Sequence, residues 1–432
     1  MRPSLSVVVR YVTDLAAWFL SILADVKQTA FANVLTIAVS FATSVLAARM
    51  LGPAQRGELA AAVVYVALAS SVADGGMNQA VPYFAARQKS QASAVLGTTC
   101  AIALCFGSVV ALVTHLLLSW GGFEQRAVSI YLPSIPFGLL TTHLAGYMYG
   151  GDMLTRFNVV RVLQAALLLV ALILAAAVRR PEVWMVLTFA VSSSVALAIA
   201  TVVTLGRRVS VSEWSIDVGM AKSLLSYAVQ SYIGNLCWLF NSRLDQLVMS
   251  VVLSSAALGI YATAVSYAGV VFSFFSVFGM LAFAKASAGD GDDEPRVRGI
   301  VRHYMVVSLI TGVPTAAAMA LAAPFLYPVL FGREFQAGVG SAMILCAGGV
   351  LLGLNFILSN GLRIRNQPLR PSIAEAIGVV VASGGLFYAL PRFGIAGAAV
   401  VSVLSYAIVF AVLLRVSRQR GPAPAHRAAS AQ

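Results

Sequence analysis

Charge is what this chain has least of. Only 10% of its 432 residues are Asp, Glu, Lys or Arg, whereas soluble domains carry about 25%. Set beside 59% hydrophobic residues and a mean hydropathy of +0.87, that shortage excludes a soluble globular protein. Acidic residues are scarcest, 16 Asp+Glu against 29 Lys+Arg, for a net charge of +13. In a soluble chain this excess would point to nucleic acid. In a membrane chain it follows from retention of Lys and Arg on the cytoplasmic side, so no nucleic-acid partner is expected. The four cysteines all lie in apolar runs, with no disulfide framework and no metal-ligand spacing. Histidines number four and are scattered. There is no glycine-rich phosphate loop and no extramembrane stretch large enough for an ATPase. No cofactor or metal is therefore expected, and the loops are too short to hold the acid and base of a membrane glycosyltransferase or polymerase. The chain is not expected to be an enzyme.

What is present is a series of apolar runs, each near the ~20 residues a membrane helix requires. Twelve spans are predicted: 28–50, 58–86, 93–119, 127–150, 157–178, 182–206, 223–253, 256–284, 300–328, 337–362, 372–391 and 394–415. The predicted organisation is an amphipathic interfacial helix over 1–27 and a six-helix bundle over 28–206. A cytoplasmic linker at 207–222 leads to a second six-helix bundle over 223–415 and a disordered tail at 416–432. With both termini cytoplasmic, 21 Lys and Arg fall on the inner side and 7 on the outer, and Arg243 lies within a span. The acidic run at 289–294 reads as a solvated loop, since it lacks the full Ca²⁺-loop pattern.

The two halves resemble each other. Shifting the chain by 202 residues superposes Gln28, Asn33, Ser40, Leu51, Ala54, Gly57, Ala60, Ala62, Val63 and Tyr65 on identical residues from Gln230 to Tyr267. A direct repeat of six helices leaves both halves in one orientation, with a V-shaped central cavity between them. Arg243 and Asp245 fall opposite Phe41 and Thr43, so this charged pair is not something the duplication requires.

A charge at bilayer depth costs at least ~2.5–3.5 kcal/mol and needs a partner or a wet cavity. Arg243 and Asp245 share one span with Asn235, Asn241 and Gln246. Ser231, Asn235, Trp238, Ser242, Asp245 or Gln246, and Met249 share a helix face, which is predicted to line the cavity. Arg243 and Asp245, two residues apart, point in different directions, so at least one must look to another helix or to a substrate. A structural pair with a neighbouring helix is the alternative. In the second span Asp74 precedes two glycines, Asn78, Gln79 and Pro82, a composition that weakens a helix. Asp74 is a candidate for carrying a coupling H⁺ or Na⁺, or else a partner for an arginine. Glu375 is a second coupling candidate, and the lone His143 reads as a packed, hydrogen-bonded side chain.

The stretches AARMLGPAQRGELAAA (47–62), DGGMNQAVPYFAAR (74–87), DQLVMSVVLSSAALGIYATAVSYAG (245–269), YPVLFGREFQAG (327–338), LNFILSNGLRIRNQPLRP (354–371) and LPRFGIAGAAVVSVLSY (390–406) are similar to polysaccharide flippases. Those proteins belong to the multidrug/oligosaccharidyl-lipid/polysaccharide exporter superfamily. The resemblance implies an all-α, two-bundle transporter in a bacterial plasma membrane. It would pass an undecaprenyl-diphosphate-linked oligosaccharide from the cytoplasmic to the outer leaflet by alternating access, for surface polysaccharide biosynthesis. Partners implied are that lipid-linked substrate, membrane lipids, and a polysaccharide polymerase with its export machinery.

A diphosphate is best held by the bidentate fork of Arg, which makes Arg243 the first candidate. Asn235, Asn241 and Gln246 are candidates for sugar hydroxyls. Arg49 and Arg56 are expected at the outer mouth and Arg363 and Arg365 at the inner mouth, with interfacial snorkelling as the alternative for all four. A cation-coupled multidrug antiporter is the rival, because Asp74 and Asp245 would suit cations. A peptidoglycan-precursor flippase resembles the chain less.

Overall fold

The computed structural model describes residues 5–121, 126–178, 181–287, 294–365, 367 and 369–419, without the side chains of 5–27, 30, 230, 231, 233, 235, 284 and 287. Among the described residues every regular element is helical. They run α1 Leu5–Asp74, α2 Met77–Arg87, α3 Ala92–Trp120, α4 Arg126–Tyr131, α5 Ser134–Gly150, α6 Leu154–Ala177, α7 Val183–Gly206, α8 Val218–Val252, α9 Ser255–Ser287, α10 Glu294–Phe331, α11 Val339–Ile364 and α12 Leu369–Arg418. Helices are what lipid demands, because each backbone N–H and C=O must be satisfied within its own segment. Eight of the described helical stretches are long and apolar enough to cross a membrane. Large apolar side chains such as Trp120, Phe325 and Phe387 point outward, as a lipid-facing surface requires.

α1 would be about 105 Å long if straight, far longer than a bilayer is thick. Gly52 breaks it with φ 68°, ψ 177°, a conformation that favours glycine, and Pro53 follows without an N–H to donate. The chain reverses there: Arg56 donates to Ser44 Oγ at 3.2 Å, although 12 residues of straight helix would separate them by about 18 Å. Gly394 (φ 54°) breaks α12 in the same way, three residues after Pro391. The expected span pairs 28–50/58–86 and 372–391/394–415 therefore meet at single glycines.

The expected second span also has an internal break. Gly75 and Gly76 take φ values of 53° and 93° between α1 and α2. Asp74 caps the restart, accepting from Gly76 N at 3.1 Å and Asn78 N at 3.2 Å. The residues of the expected cytoplasmic linker pack against the start of α3. Asp217 N donates to Thr98 Oγ1 at 3.0 Å, and the Asp217 side chain caps α8 through Met220 N. The backbone of the first twenty-odd residues is helical from Leu5 and continuous with α1, while the side chains that would define an interfacial face lie outside the described residues. Residues 288–293 and the tail from 420 lie outside them too.

The tightest inter-helix approach joins α1 to α9. A Cβ on Gly57 would stand 1.7 Å from the Ser255 carbonyl oxygen, and one on Gly259 would stand 2.0 Å from the Pro53 carbonyl oxygen. Both obstructions are backbone, which cannot swing aside as a side chain can. Around this crossing lie the fully buried rings of Tyr261, Tyr267, Tyr327 and Phe331. Their hydroxyls are satisfied: Tyr267 donates to Met319 O at 2.8 Å, and Tyr327 and Thr263 oxygens lie 2.6 Å apart.

Gly57→Ala is expected to lower the melting temperature of the detergent-purified protein, at an overpacking cost of about 1–3 kcal/mol. Gly138→Ala, whose Cβ would meet open space, is expected to be neutral or mildly stabilising. Equal melting of the two variants would contradict the backbone contact.

Candidate functional site

A cavity of about 430 Å³ lies where α1, α8, α9, α11 and α12 meet. α1 contributes Thr36, Ser40 and Phe41; α8 contributes Trp238, Ser242, Arg243 and Asp245; Tyr406 comes from α12. Four pairs of wall positions are related by the 202-residue shift: Thr36 with Trp238, Ile37 with Leu239, Ser40 with Ser242, and Phe41 with Arg243. The cavity is thus walled in part by positions that the sequence shift relates, and the one charge-changing difference among these four pairs places a guanidinium in its wall.

Arg243 and Asp245 do not pair with each other. The Asp245 carboxylate is buried and accepts from Tyr261 OH at 2.6 Å, Ser402 Oγ at 3.0 Å and Gln246 N at 2.7 Å. Half-buried Arg243 makes no hydrogen bond and no ion pair among the described residues. The structural pairing considered for this span therefore applies to Asp245, through hydroxyls of α9 and α12, while Arg243 remains available.

The predicted polar face divides between the cavity and the protein interior. Trp238, Ser242 and Asp245 line the cavity, whereas Met249 is core. Asn241 is buried against α12, donating to Glu375 Oε2 at 2.7 Å and accepting from Ser405 Oγ at 2.8 Å. Both of its polar ends are occupied, which leaves little for a sugar. Gln246 is buried off the cavity, with its Nε2 lacking an acceptor among the described residues. The side chain of Asn235 lies outside the described residues.

The four mouth arginines have different surroundings. Arg56 is buried, holds Ser44, and leaves its Nε without an acceptor among the described residues. It lies close enough to Arg243 for the two cations to repel. Arg49 instead caps the end of α10, donating to Leu330 O at 2.9 Å and to Val329 O. Arg363 is half-buried within electrostatic reach of Glu375. Arg365 is a clasp: it pairs with Glu294 and donates to the Ser417 and Gln419 carbonyls, each at 3.0 Å, tying the ends of α10, α11 and α12 together.

Asp74 is buried and its partner is a histidine, not an arginine: His143 Nε2 lies 2.9 Å from Asp74 Oδ1. His143 is fully enclosed in α5, and its Nδ1 has no partner among the described residues. Asp74 therefore holds both a helix restart and a buried imidazole. Sequence reasoning missed Tyr261, Ser402 and Ser405. Hydroxyl residues are common in apolar helices, and only the packing of α9 and α12 onto α8 distinguishes these three. The four cysteines are free thiols, and no cluster among the described residues could hold a metal ion.

The helices have the fold of membrane flippases and drug exporters. A structure titled lipid II flippase MurJ, inward closed conformation, matches with a TM-score of 0.73 and 13% identity over 90% of this chain and 87% of that one. An inward-facing multidrug resistance MATE family transporter of the MOP superfamily matches with a TM-score of 0.67 and 14% identity over 89% and 97%. Residues 45–339 match the model of a family described as polysaccharide biosynthesis protein, and the chain belongs to that family. A curated relative, the probable low-salt glycan biosynthesis flippase Agl15 of Haloferax volcanii, is 24% identical over 189 residues. That match spans 44% of this chain and 40% of the relative's length.

Asp74→Ala removes the cap and the imidazole's partner together. We expect a loss of about 1–3 kcal/mol in thermal unfolding and faster hydrogen exchange at the Gly76 and Asn78 amides. Unchanged exchange there would contradict the capping role.

Proposed function

We propose that this chain moves a polyprenyl-diphosphate-linked oligosaccharide, of the undecaprenyl type, from the cytoplasmic to the outer leaflet of a bacterial plasma membrane by alternating access. The observation that carries the reading is Arg243, a cavity-facing guanidinium that makes no hydrogen bond and no ion pair among the described residues, while the carboxylate within its electrostatic reach, Asp245, is held by three other donors. A diphosphate would supply two charges and the oxygens a guanidinium fork matches. Family membership supports the sugar, and Trp238 in the same wall offers an aromatic face to a glycan.

The architecture we infer has twelve crossings. Dividing α1 and α12 at Gly52 and Gly394, and joining the short α2 and α4 to the helices beside them, supports that count. The reciprocal Gly57–Ser255 and Gly259–Pro53 contacts support two six-helix repeats. Residues 57 and 259, like 53 and 255, differ by the same 202, so each half presents one surface to the other across a pseudo-twofold axis. The 21-to-7 split of cations supports cytoplasmic termini. For coupling, Asp74 with His143 and Glu375 with Asn241 are the buried carboxylates that would take up H⁺ or Na⁺. A polymerase and export machinery would receive the product. A drug antiporter would want a free carboxylate in the cavity, and three donors already occupy the one at Asp245.

In reconstituted vesicles, wild type is expected to transfer a labelled undecaprenyl-diphosphate oligosaccharide between leaflets. Arg243→Ala, confirmed as folded by its melting curve, is expected to slow transfer at least ~10-fold, the worth of a lost charge-assisted contact. Export of cationic dyes with no lipid transfer would overturn the reading in favour of the antiporter.

A further inference from the structure

A second cavity, of about 530 Å³, opens between α10, α11 and α12 and shares no residue with the central one. Its walls are ordered along the helix axes in the same sense on all three helices. α10 brings Arg298 and Arg302 near its start, then Met305, Val306 and Leu309 deeper in; α11 brings Arg365 at its end, with Leu362 and Leu358 before it; α12 brings Arg418 at its end, with Leu414 one turn earlier. Three helices therefore place cations at one level and hydrocarbon below it. That is the profile of a membrane lipid seen from its headgroup down.

The cationic level is under-neutralised. Glu294 engages Arg298 and Arg365, while the side chains of Arg302 and Arg418 make no ion pair or hydrogen bond among the described residues. The Nε atoms of Arg298 and Arg365 are buried without acceptors among the described residues, and only 4% of the Arg365 side chain is exposed. Among the described residues, four arginines of this wall thus share one carboxylate, with donors to spare. The chain's own tail is a poor occupant: GPAPAHRAASAQ at 421–432 has neither an acidic side chain nor a large apolar one.

We propose that this groove is a binding site for one anionic phospholipid. The phosphate sits on Arg302 and Arg418 at the mouth, backed by Arg298 and Arg365, and an acyl chain lies along Met305, Val306, Leu309 and Leu358. Because Arg365 already ties α10, α11 and α12 together, the lipid completes a clasp on which those helix ends depend, and it acts on the protein's stability as well as its surroundings. The anionic headgroup, rather than a zwitterionic one, follows from the excess of guanidinium over carboxylate.

Native mass spectrometry of the full-length protein, titrated in detergent with phosphatidylglycerol or phosphatidylcholine, tests the site. The expected result is saturable retention of one phosphatidylglycerol, with phosphatidylcholine at least ~10-fold weaker and a higher melting temperature only with the anionic lipid. Arg302 and Arg418 are exposed, so the double variant R302Q/R418Q should fold as wild type and lose about tenfold or more in affinity. Val306→Trp, which fills the apolar level and keeps every charge, should also lose the lipid, whereas the charge-matched R207Q/R208Q should not. Equal retention of both lipids, or R302Q/R418Q binding as tightly as R207Q/R208Q, would overturn the proposal. Displacement of phosphatidylglycerol by undecaprenyl diphosphate at far lower concentration would overturn it in favour of a substrate-tail site.

Discussion

Asp245 receives three hydrogen bonds, from Tyr261, Ser402 and the Gln246 amide, and so needs nothing from Arg243 two residues away. Much of the chemistry of the central cavity follows from that. A carboxylate and a guanidinium on one turn of a membrane helix would ordinarily be read as mutual neutralisation, which would leave the cavity electrically dull. Because α9 and α12 take the carboxylate's hydrogen bonds, the guanidinium keeps its own donors free, in surroundings where an unpaired charge is costly. One turn earlier on α8, α12 alone engages Asn241, which accepts from Ser405 and donates to Glu375. The seam between α8 and α12 is therefore a polar joint, and it borders the cavity at Asp245 and Tyr406.

A backbone contact brings together two of the helices that wall the cavity. Where α1 and α9 cross, Gly57 and Gly259 allow the chains to approach until a carbonyl oxygen of each helix occupies the place of the other's missing Cβ. The cavity opens just beyond this crossing, where α1 and α9 carry side chains again, from Thr36 to Phe41 on one helix and Val265 to Ser273 on the other. The left-handed turn at Gly52 delivers the second leg of α1 to this crossing.

Much of this was legible in the sequence. Helical class, the positions of the apolar runs and the special status of Arg243 all follow from composition, periodicity and the cost of burying charge. The self-similarity around Gly57 and Gly259 was visible as identities at a fixed shift, although which of the ten would touch was not. The partners of the buried carboxylates were not legible. Asp74 was expected to carry an ion or meet an arginine, and it meets His143, 69 residues away in sequence on α5. Arg49 and Arg365 were expected at the mouths for substrate, and they cap or clasp helix ends. Pattern identifies a charge that needs a partner. Only the packing of helices distant in sequence decides which partner it finds, and serine and tyrosine hydroxyls give no warning of that duty.

The central claim is that Arg243 binds the anionic group of the substrate, and Trp238 in the same wall provides a direct reporter. With the other tryptophans, Trp18, Trp120, Trp184 and Trp214, replaced by Phe, the fluorescence of Trp238 would be titrated with a short-chain polyprenyl diphosphate oligosaccharide. The account predicts a saturable change in the parent, shifted at least ~10-fold to higher concentration by Arg243→Gln and competed by inorganic diphosphate. A saturable change of the same midpoint in both proteins would contradict it.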